Sequence, residues 1–433
     1  MSTELSALAP LSVARVVLRP KKALPFYGRH PWVRDSAVAR VEPTSIASEH
    51  FLDLDGQTVD LMNEKGKFIA RGFYNSKSRI RVRLYTWSPL EALDEPFFRS
   101  RIATAIELRR QIGYQPGADV ENETPRPMVG ALSATRLVFS EADGLSGLVV
   151  DRYGEYLVVQ ITSLAIAQRL EMIVGILREL LEPKAVVLRT EKSMAQIEGV
   201  EFTEGKIWGE LPAEPFEIHE HGLRYLIDLD EGQKTGFYLD QRENRRAAAA
   251  YCSGRRVLDM FCYTGGFALC AAALGGAKQV LGIDTSKKAV AQARANAQLN
   301  GITNVTFDVG DGFQTLDRLL DERSQSEQAP FDVVILDPPK FARNRSGLNQ
   351  ALMAYHRLNR SAIGLLPVGG ILVTCSCSGS VSHEDFQLML SGVAQKSGRE
   401  IQILQQRGAA ADHPVSATCL ETEYLKCFIC RVL

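Results

Sequence analysis

With 433 residues, 45% of them hydrophobic and 23% charged, the chain carries enough apolar material for more than one core, which excludes a single small module, a fibrous repeat or a wholly disordered tail. Fifty Lys and Arg stand against 51 Asp and Glu, a formal net charge of −1, so the chain as a whole is no polybasic binder and any affinity for nucleic acid must be local. Its apolar runs, Gly266–Ala277 among them, break well short of the roughly 18 to 20 residues that cross a bilayer, and the opening MSTELSALAPLSVARVVLRP has no basic start followed by an apolar segment, so a cytoplasmic address away from membranes is expected.

Residues 1–90 hold short alternating runs, VARVVLRP, FLDLDG and KFIARGFYN, punctuated by Gly and Pro, which predict a small β-barrel or sandwich. Over the first forty residues Arg15, Arg19, Lys21, Lys22, Arg29, Arg34 and Arg40 face only Glu4 and Asp35; Lys65, Lys67, Arg71, Lys77, Arg79, Arg81 and Arg83 form a second cluster. Interleaved with His30, Trp32, Tyr74 and Tyr85, these cations suit phosphates and stacked bases, which makes this region a candidate RNA-binding domain. The ordinary alternative is a solvated face of edge strands. Residues 91–210 begin with a charged helical stretch, EPFFRSRIATAIELRRQIG, and a polar connector, ADVENETPRP. Strand, turn, strand, a helix over Ala165–Leu181 and further strands then predict a small α+β unit with hairpin turns at Asp143-Gly144 and Tyr153-Gly154. It carries no catalytic constellation and reads as a spacer.

From 211 to 433 strands and helices alternate: strand Val257–Met260, helix from Gly266, strand Val280–Ile283, helix Lys287–Leu299, strand Val305–Asp308 and helix Gly312–Leu320. Strand Val333–Leu336, a helix around Ala351–Leu366, strand Ile371–Cys375, helix Glu384–Lys396 and two last strands, Glu400–Gln405 and Tyr424–Val432, complete the pattern. It predicts an α/β domain whose mostly parallel sheet is covered by helices on both faces, with ligands off the carboxyl ends of the strands.

The residues at those ends are informative. The first strand runs into Asp259-Met260-Phe261-Cys262-Tyr263-Thr264-Gly265-Gly266, a glycine turn headed by an acid and unlike the G-x-G-x-x-G of dinucleotide sites, so it suits a cofactor with an ammonium group and no phosphate. Asp284, after the second strand, is placed to accept both hydroxyls of a ribose. Asp311, after the third, is placed to receive an adenine amino group, with a helix cap as its ordinary alternative. Together the three acids describe an S-adenosylmethionine pocket. After the fourth strand, Asp337-Pro338-Pro339-Lys340-Phe341 holds the chain extended and aims the Asp carboxylate. The fifth ends in Cys375-Ser376-Cys377-Ser378-Gly379, two thiols that invite a nucleophile. All eight cysteines lie at position 252 or later, unlike the scatter of a secreted scaffold, and read as free thiols. Metal pairs at His219-x-His221 and Cys427-x-x-Cys430 lack a suitably spaced second pair, so no metal is expected.

The motifs KTGFYLDQR (234–242), LDMFCYTGGF (258–267), DPPKF (337–341) and SCSG (376–379), with GRHPWV (28–33) and DGLSGLVVDRYG (143–154), together resemble the bacterial 23S ribosomal RNA cytosine-5 methyltransferases of the RlmI type over nearly the whole chain. The resemblance implies an N-terminal PUA β-barrel, a central α+β domain, and a Rossmann-like methyltransferase domain with a seven-stranded sheet. It implies S-adenosylmethionine held by Tyr238, Gln241, Asp259, Phe261, Tyr263, Thr264, Gly265, Asp284 and Asp311. It also implies Cys377 as the nucleophile that adds to carbon 6 of the base. Cys375 falls where an apolar residue is common and belongs to the core. Lys340 stands where the wider group often has a second Cys. It is expected to favour the Cys377 thiolate, while Asp337 is placed to hydrogen-bond or protonate N3 of the base. Arg29, His30 and Trp32 are expected on RNA, and Phe341 is expected to stack on the extruded base. The implied partner is 23S ribosomal RNA, with a homodimer as a further expectation. Two other functions compete: methylation of a purine nitrogen, which needs no thiol, and an inactive RNA-binding protein, against which the intact acids weigh.

Overall fold

The structure, a computed structural model, describes residues 11–44, 53–114, 134–190, 196–200, 203–229, 236–325, 330–342 and 345–433. The polar connector expected at 118–127 and the first two residues of the KTGFYLDQR motif lie outside them. Three main sheets follow one another along the chain.

The first is built from β1 (Ala14–Leu18), β2 (Trp32–Arg34), β3 (Val38–Pro43), β4 (Thr58–Met62), β5 (Phe68–Tyr74) and β6 (Ile80–Thr86), in the order β2-β6-β5-β4-β1-β3. β2 and β3 sit at opposite ends of that order, yet only Asp35–Ala37 separates them. Four peptide steps reach ~14 Å at most, whereas six flat strands would hold the outer pair ~24 Å apart, so the sheet must curl toward a barrel. FLDLDG, expected as a strand, forms a turn where described: Asp53 and Asp55 accept backbone amides of Asp55 and Ser76, and such Asx bonding competes with a strand ladder.

The second sheet contains β7 (Ala134–Phe139), β8 (Leu148–Tyr153), β9 (Tyr156–Ile161), β10 (Ala185–Arg189) and β11 (Gly205–Gly209), ordered β11-β10-β9-β8-β7. The expected single helix over Ala165–Leu181 is two, Leu164–Ala167 and Leu170–Leu181, broken where Arg169 leaves helical geometry. Helix Glu95–Gln111 packs on this sheet through Phe98, Ile102 and Ala105.

The hairpin β12 (Phe216–Glu220) and β13 (Leu223–Ile227) leads into the third sheet, of β14 (Arg256–Met260), β15 (Gln279–Asp284), β16 (Val305–Val309), β17 (Val333–Leu336), β18 (Gly370–Ser376), β19 (Ile401–Arg407) and β20 (Lys426–Val432). Its order is β16-β15-β14-β17-β18-β20-β19, all parallel except β20, the Rossmann-like arrangement of a mostly parallel sheet. β17 and β18 are buried at every residue, as strands covered on both faces must be. One core layer holds Ile371, Val373 and Cys375, the other Leu372, Leu336 and Tyr355.

The sheets are locked together by buried charge. Arg83 of the first reaches Glu141 (3.2 Å) and Glu198 (3.1 Å) of the second. Asp412 of the third domain pairs with Arg242 (3.2 Å) and His413 and accepts the Arg136 amide at 3.0 Å, while its carbonyl accepts from Arg109 at 2.8 Å. Tyr153 of β8 both accepts from the Phe237 amide (3.1 Å) and donates to the Phe237 carbonyl (3.2 Å). The central unit, expected as a spacer, thus also anchors the segment that carries Tyr238.

Candidate active site

The turn after β14 is shaped by unusual backbone. Phe261 (φ 65°), Tyr263 (φ 49°) and Gly265 (φ 89°) all occupy the left-handed region, two of them with side chains that disfavour it. A Cβ at Gly265 would meet the Phe307 ring at 2.9 Å, so this position needs glycine on both counts. The strain delivers Asp259, fully buried, to the head of helix Gly266–Ala273, where Oδ2 accepts the Ala268 amide at 2.9 Å. Asp259 Oδ1 and Thr264 Oγ1 are buried beside it without a hydrogen-bond partner. Burial, and next the charge of Asp337, push the Asp259 carboxyl well above the ordinary carboxylate range. Such a group gains most from an incoming cation, and two orphaned oxygens at one glycine turn fit the ammonium end of S-adenosylmethionine.

Asp284, at the end of β15, accepts the amides of Tyr263 (3.0 Å) and Ser286 (2.8 Å), which fixes its carboxylate while leaving acceptor sites for hydroxyls. Asp311 caps helix Gly312–Ser324, its Oδ1 accepting from Phe313 and Gln314, both at 3.0 Å, so the ordinary alternative is realised at that oxygen. Phe261 lies over Gly312, where a Cβ would meet its ring at 2.4 Å. Tyr263 and Tyr238 meet edge to face at 5.2 Å. Gln241, expected on the cofactor, instead directs its amide to Asp337 Oδ1 at 3.0 Å and accepts from Asn244 at 2.7 Å. Asp259→Asn, which keeps an acceptor for Ala268 but loses the charge, is expected to weaken S-adenosylmethionine binding ~10- to 100-fold by titration calorimetry.

Leu336 of β17 pairs with Thr374 of β18, so Asp337 and Cys377 emerge from neighbouring strands at the same end of the sheet. Cys377 is half-buried, and the other seven cysteines are buried. Cys375 lies inside the core, its thiol pushed far up by burial and then by its contact with Cys427, so it is no nucleophile. Tyr238 bridges the two halves of the site: burial first, and then the charges of Asp337 and Cys377, push its phenol up. Cys427 and Cys430 belong to opposite core layers and cannot share an ion.

Other expected residues are differently placed. Lys340 is exposed. The cation buried near Cys377 is Lys426, missed in the sequence although a lysine beside the apolar run Cys427–Cys430 is itself a signal. Phe341 packs against Tyr355 (4.9 Å) and Phe313 (6.2 Å), at the rim of the core. Arg29 is exposed, but the Trp32 indole donates to Glu141 at 2.8 Å and His30 meets Glu421 at 3.4 Å, so both sit at a domain junction. His30 Nδ1 accepts the Trp32 amide at 3.2 Å. His30, Cys419 and Glu421 lie close together and are joined by hydrogen bonds through Glu421. Arg71 and Arg83 of the second basic cluster are buried in ion pairs, whereas all seven cations of the first are exposed.

These strand ends, the turn and the sheet order define an S-adenosylmethionine-dependent methyltransferase. Residues 201–407 match the S-adenosylmethionine-dependent methyltransferase family, and residues 16–87 match the PUA-like domain. The chain belongs to the family of ribosomal RNA large subunit methyltransferase I: it is 39% identical over 421 residues to the protein of that name from Escherichia coli O127:H6, and 38% identical to that from Escherichia coli O157:H7, in each case over 97% of this chain and 99% of the relative. The fold matches a methyltransferase crystallised with SAH (20% identity, 96% of this chain and 99% of that one, TM-score 0.78) and a SAM-dependent methyltransferase from Streptococcus mutans (19%, the same coverage, TM-score 0.77). No helix among the described residues is long and apolar enough to cross a membrane. The expected homodimer finds no support in the fold or in the relatives.

Proposed function

We propose that the protein methylates carbon 5 of a cytosine in large-subunit, 23S ribosomal RNA through a covalent adduct on Cys377. Bound S-adenosylmethionine, held by Asp259, Asp284 and the Phe261–Gly265 turn, supplies an electrophilic methyl group. Carbon 5 of cytosine is a poor nucleophile until the Cys377 thiolate adds to carbon 6, breaking the aromatic system and placing charge on N3 and O2. Asp337, steadied by Gln241 at Oδ1, meets that negative charge only as the carboxylic acid, donating a hydrogen bond to N3. After methylation solvent water takes the carbon 5 proton, the C–H electron pair re-forms the carbon 5–carbon 6 double bond, and the sulfur–carbon 6 bond breaks, returning the thiolate. The target must leave its stack, which is least costly in a loop. The exposed cations Arg15, Arg19, Lys21, Lys22, Arg29, Arg34 and Arg40 on the PUA-like domain supply phosphate contacts that place the RNA without specifying the base.

The reading is carried by one observation: among the described residues the only cysteine that is not buried stands at the carboxyl end of β18, beside the strand that presents Asp337. RNA transcribed with 5-fluorocytosine tests it, because fluorine blocks loss from carbon 5 and traps the adduct. A denaturation-resistant complex that disappears in Cys377→Ala is expected. Methylation of adenine or guanine without a trapped complex would establish the purine alternative.

A further inference from the structure

A buried cation stands beside the proposed nucleophile, and among the described residues no carboxylate forms an ion pair with it. Lys426 opens β20 opposite Ser376 of β18 and is 1% exposed. Its Nζ donates to the carbonyl oxygens of Ser378, at 2.7 Å, and Tyr424, at 2.8 Å. Ser378 is the residue after Cys377, so the ammonium clamps the loop that presents the sulfur. Burial pushes the amine from the usual lysine range down to about 8, which means that folding works against this charge. A buried charge kept against stability points to function.

We propose that Lys426 is a positioning residue that keeps Cys377 ionised, its ammonium stabilising the thiolate through the protein interior while fixing the carbonyl of the next residue. This rests on the reading of Cys377 as the nucleophile. The Cys377 charge raises the proton affinity of Lys426, and by reciprocity the ammonium lowers that of the thiol equally. Glu423 and Asp385 act in the same direction on Lys426, and exposed Lys340 acts against it. The phenols facing the sulfur, Tyr238, Tyr355 and Tyr424, are all pushed up, chiefly by burial, and stay neutral across the working range.

The pH dependence of iodoacetamide alkylation at Cys377 in the intact protein without RNA, read by peptide mass, tests the assignment. In the wild type the midpoint is expected below the ordinary thiol value of about 8.5 and unchanged between 0.05 and 1 M KCl, since a buried charge is little screened. In Lys426→Met the midpoint rises by one unit or more, alkylation at pH 7 slows ~10-fold, and the acid limb of the methylation profile moves with it. Lys426→Arg restores part of the shift. An unchanged midpoint in a folded Lys426→Met, or a depression that salt abolishes as exposed Lys340 would produce, overturns the proposal. If Lys426→Met does not fold, a wild-type midpoint at or above the ordinary value overturns it alone. The thiol titration needs no catalysis, so full methylation by Cys377→Ser would sink the nucleophile reading separately.

Discussion

Cys377→Ala is expected to lose methylation of ribosomal RNA by at least about a thousandfold while binding S-adenosylmethionine within about threefold of the wild type. The split follows from the geometry. The groups that fit the methyl donor lie at the ends of β14, β15 and β16, whereas Cys377 follows β18 on the other side of β17. Truncating a half-buried thiol costs little stability, so a cooperative melting curve close to that of the wild type should accompany the loss. Calorimetry with the cofactor and incorporation of tritiated methyl into ribosomal RNA give the two readings. Retained activity would remove covalent catalysis from this site, because Cys375 is sealed in the core and cannot substitute.

Asp412→Ala is expected to cost about 3 to 5 kcal/mol, a fall in Tm on the order of 10 °C, although Asp412 contacts no reacting group. Burial alone would raise its carboxyl. The charges of His413 and Arg242, with bonds from His413 and the Arg136 amide, reverse this and hold it far below the ordinary carboxylate range. Removing it leaves Arg242, fully buried, with only Glu220 as a counter-charge, and frees the Arg136 amide and Thr135 hydroxyl. The sign with pH follows from the depressed value. The contribution is complete above about pH 5 and shrinks by about 1.4 kcal/mol per unit as pH falls below about 4, where the unfolded chain takes up the proton first. The gap between wild type and variant in urea melts should therefore narrow on acidification; a gap constant with pH would show that packing and not charge is lost.

The alternation of β and α after residue 211 was legible because buried parallel strands such as Val333–Leu336 are apolar runs set between helices. The acids at the strand ends were legible for the same reason, since each run ends abruptly in a polar residue. What pairing does across distance was not. Arg71 and Arg83 read as exposed cations, and their partners Asp60, Glu141 and Glu198 lie 11, 58 and 115 residues away. Lys426 is opposite Ser376 only because β20 runs antiparallel into the sheet, which no local pattern announces. Gln241 shares a motif with Tyr238 but is turned to Asp337 by the helical turn Leu239–Gln241.

The grip of Tyr153 on both polar groups of Phe237 means that the wall carrying Tyr238 does not belong to the sheet it serves. A fragment cut ahead of Phe216 would keep every strand of the catalytic half and lose the hand that steadies Tyr238. Exchanging catalytic halves between relatives must therefore carry the β8–β9 hairpin along with them.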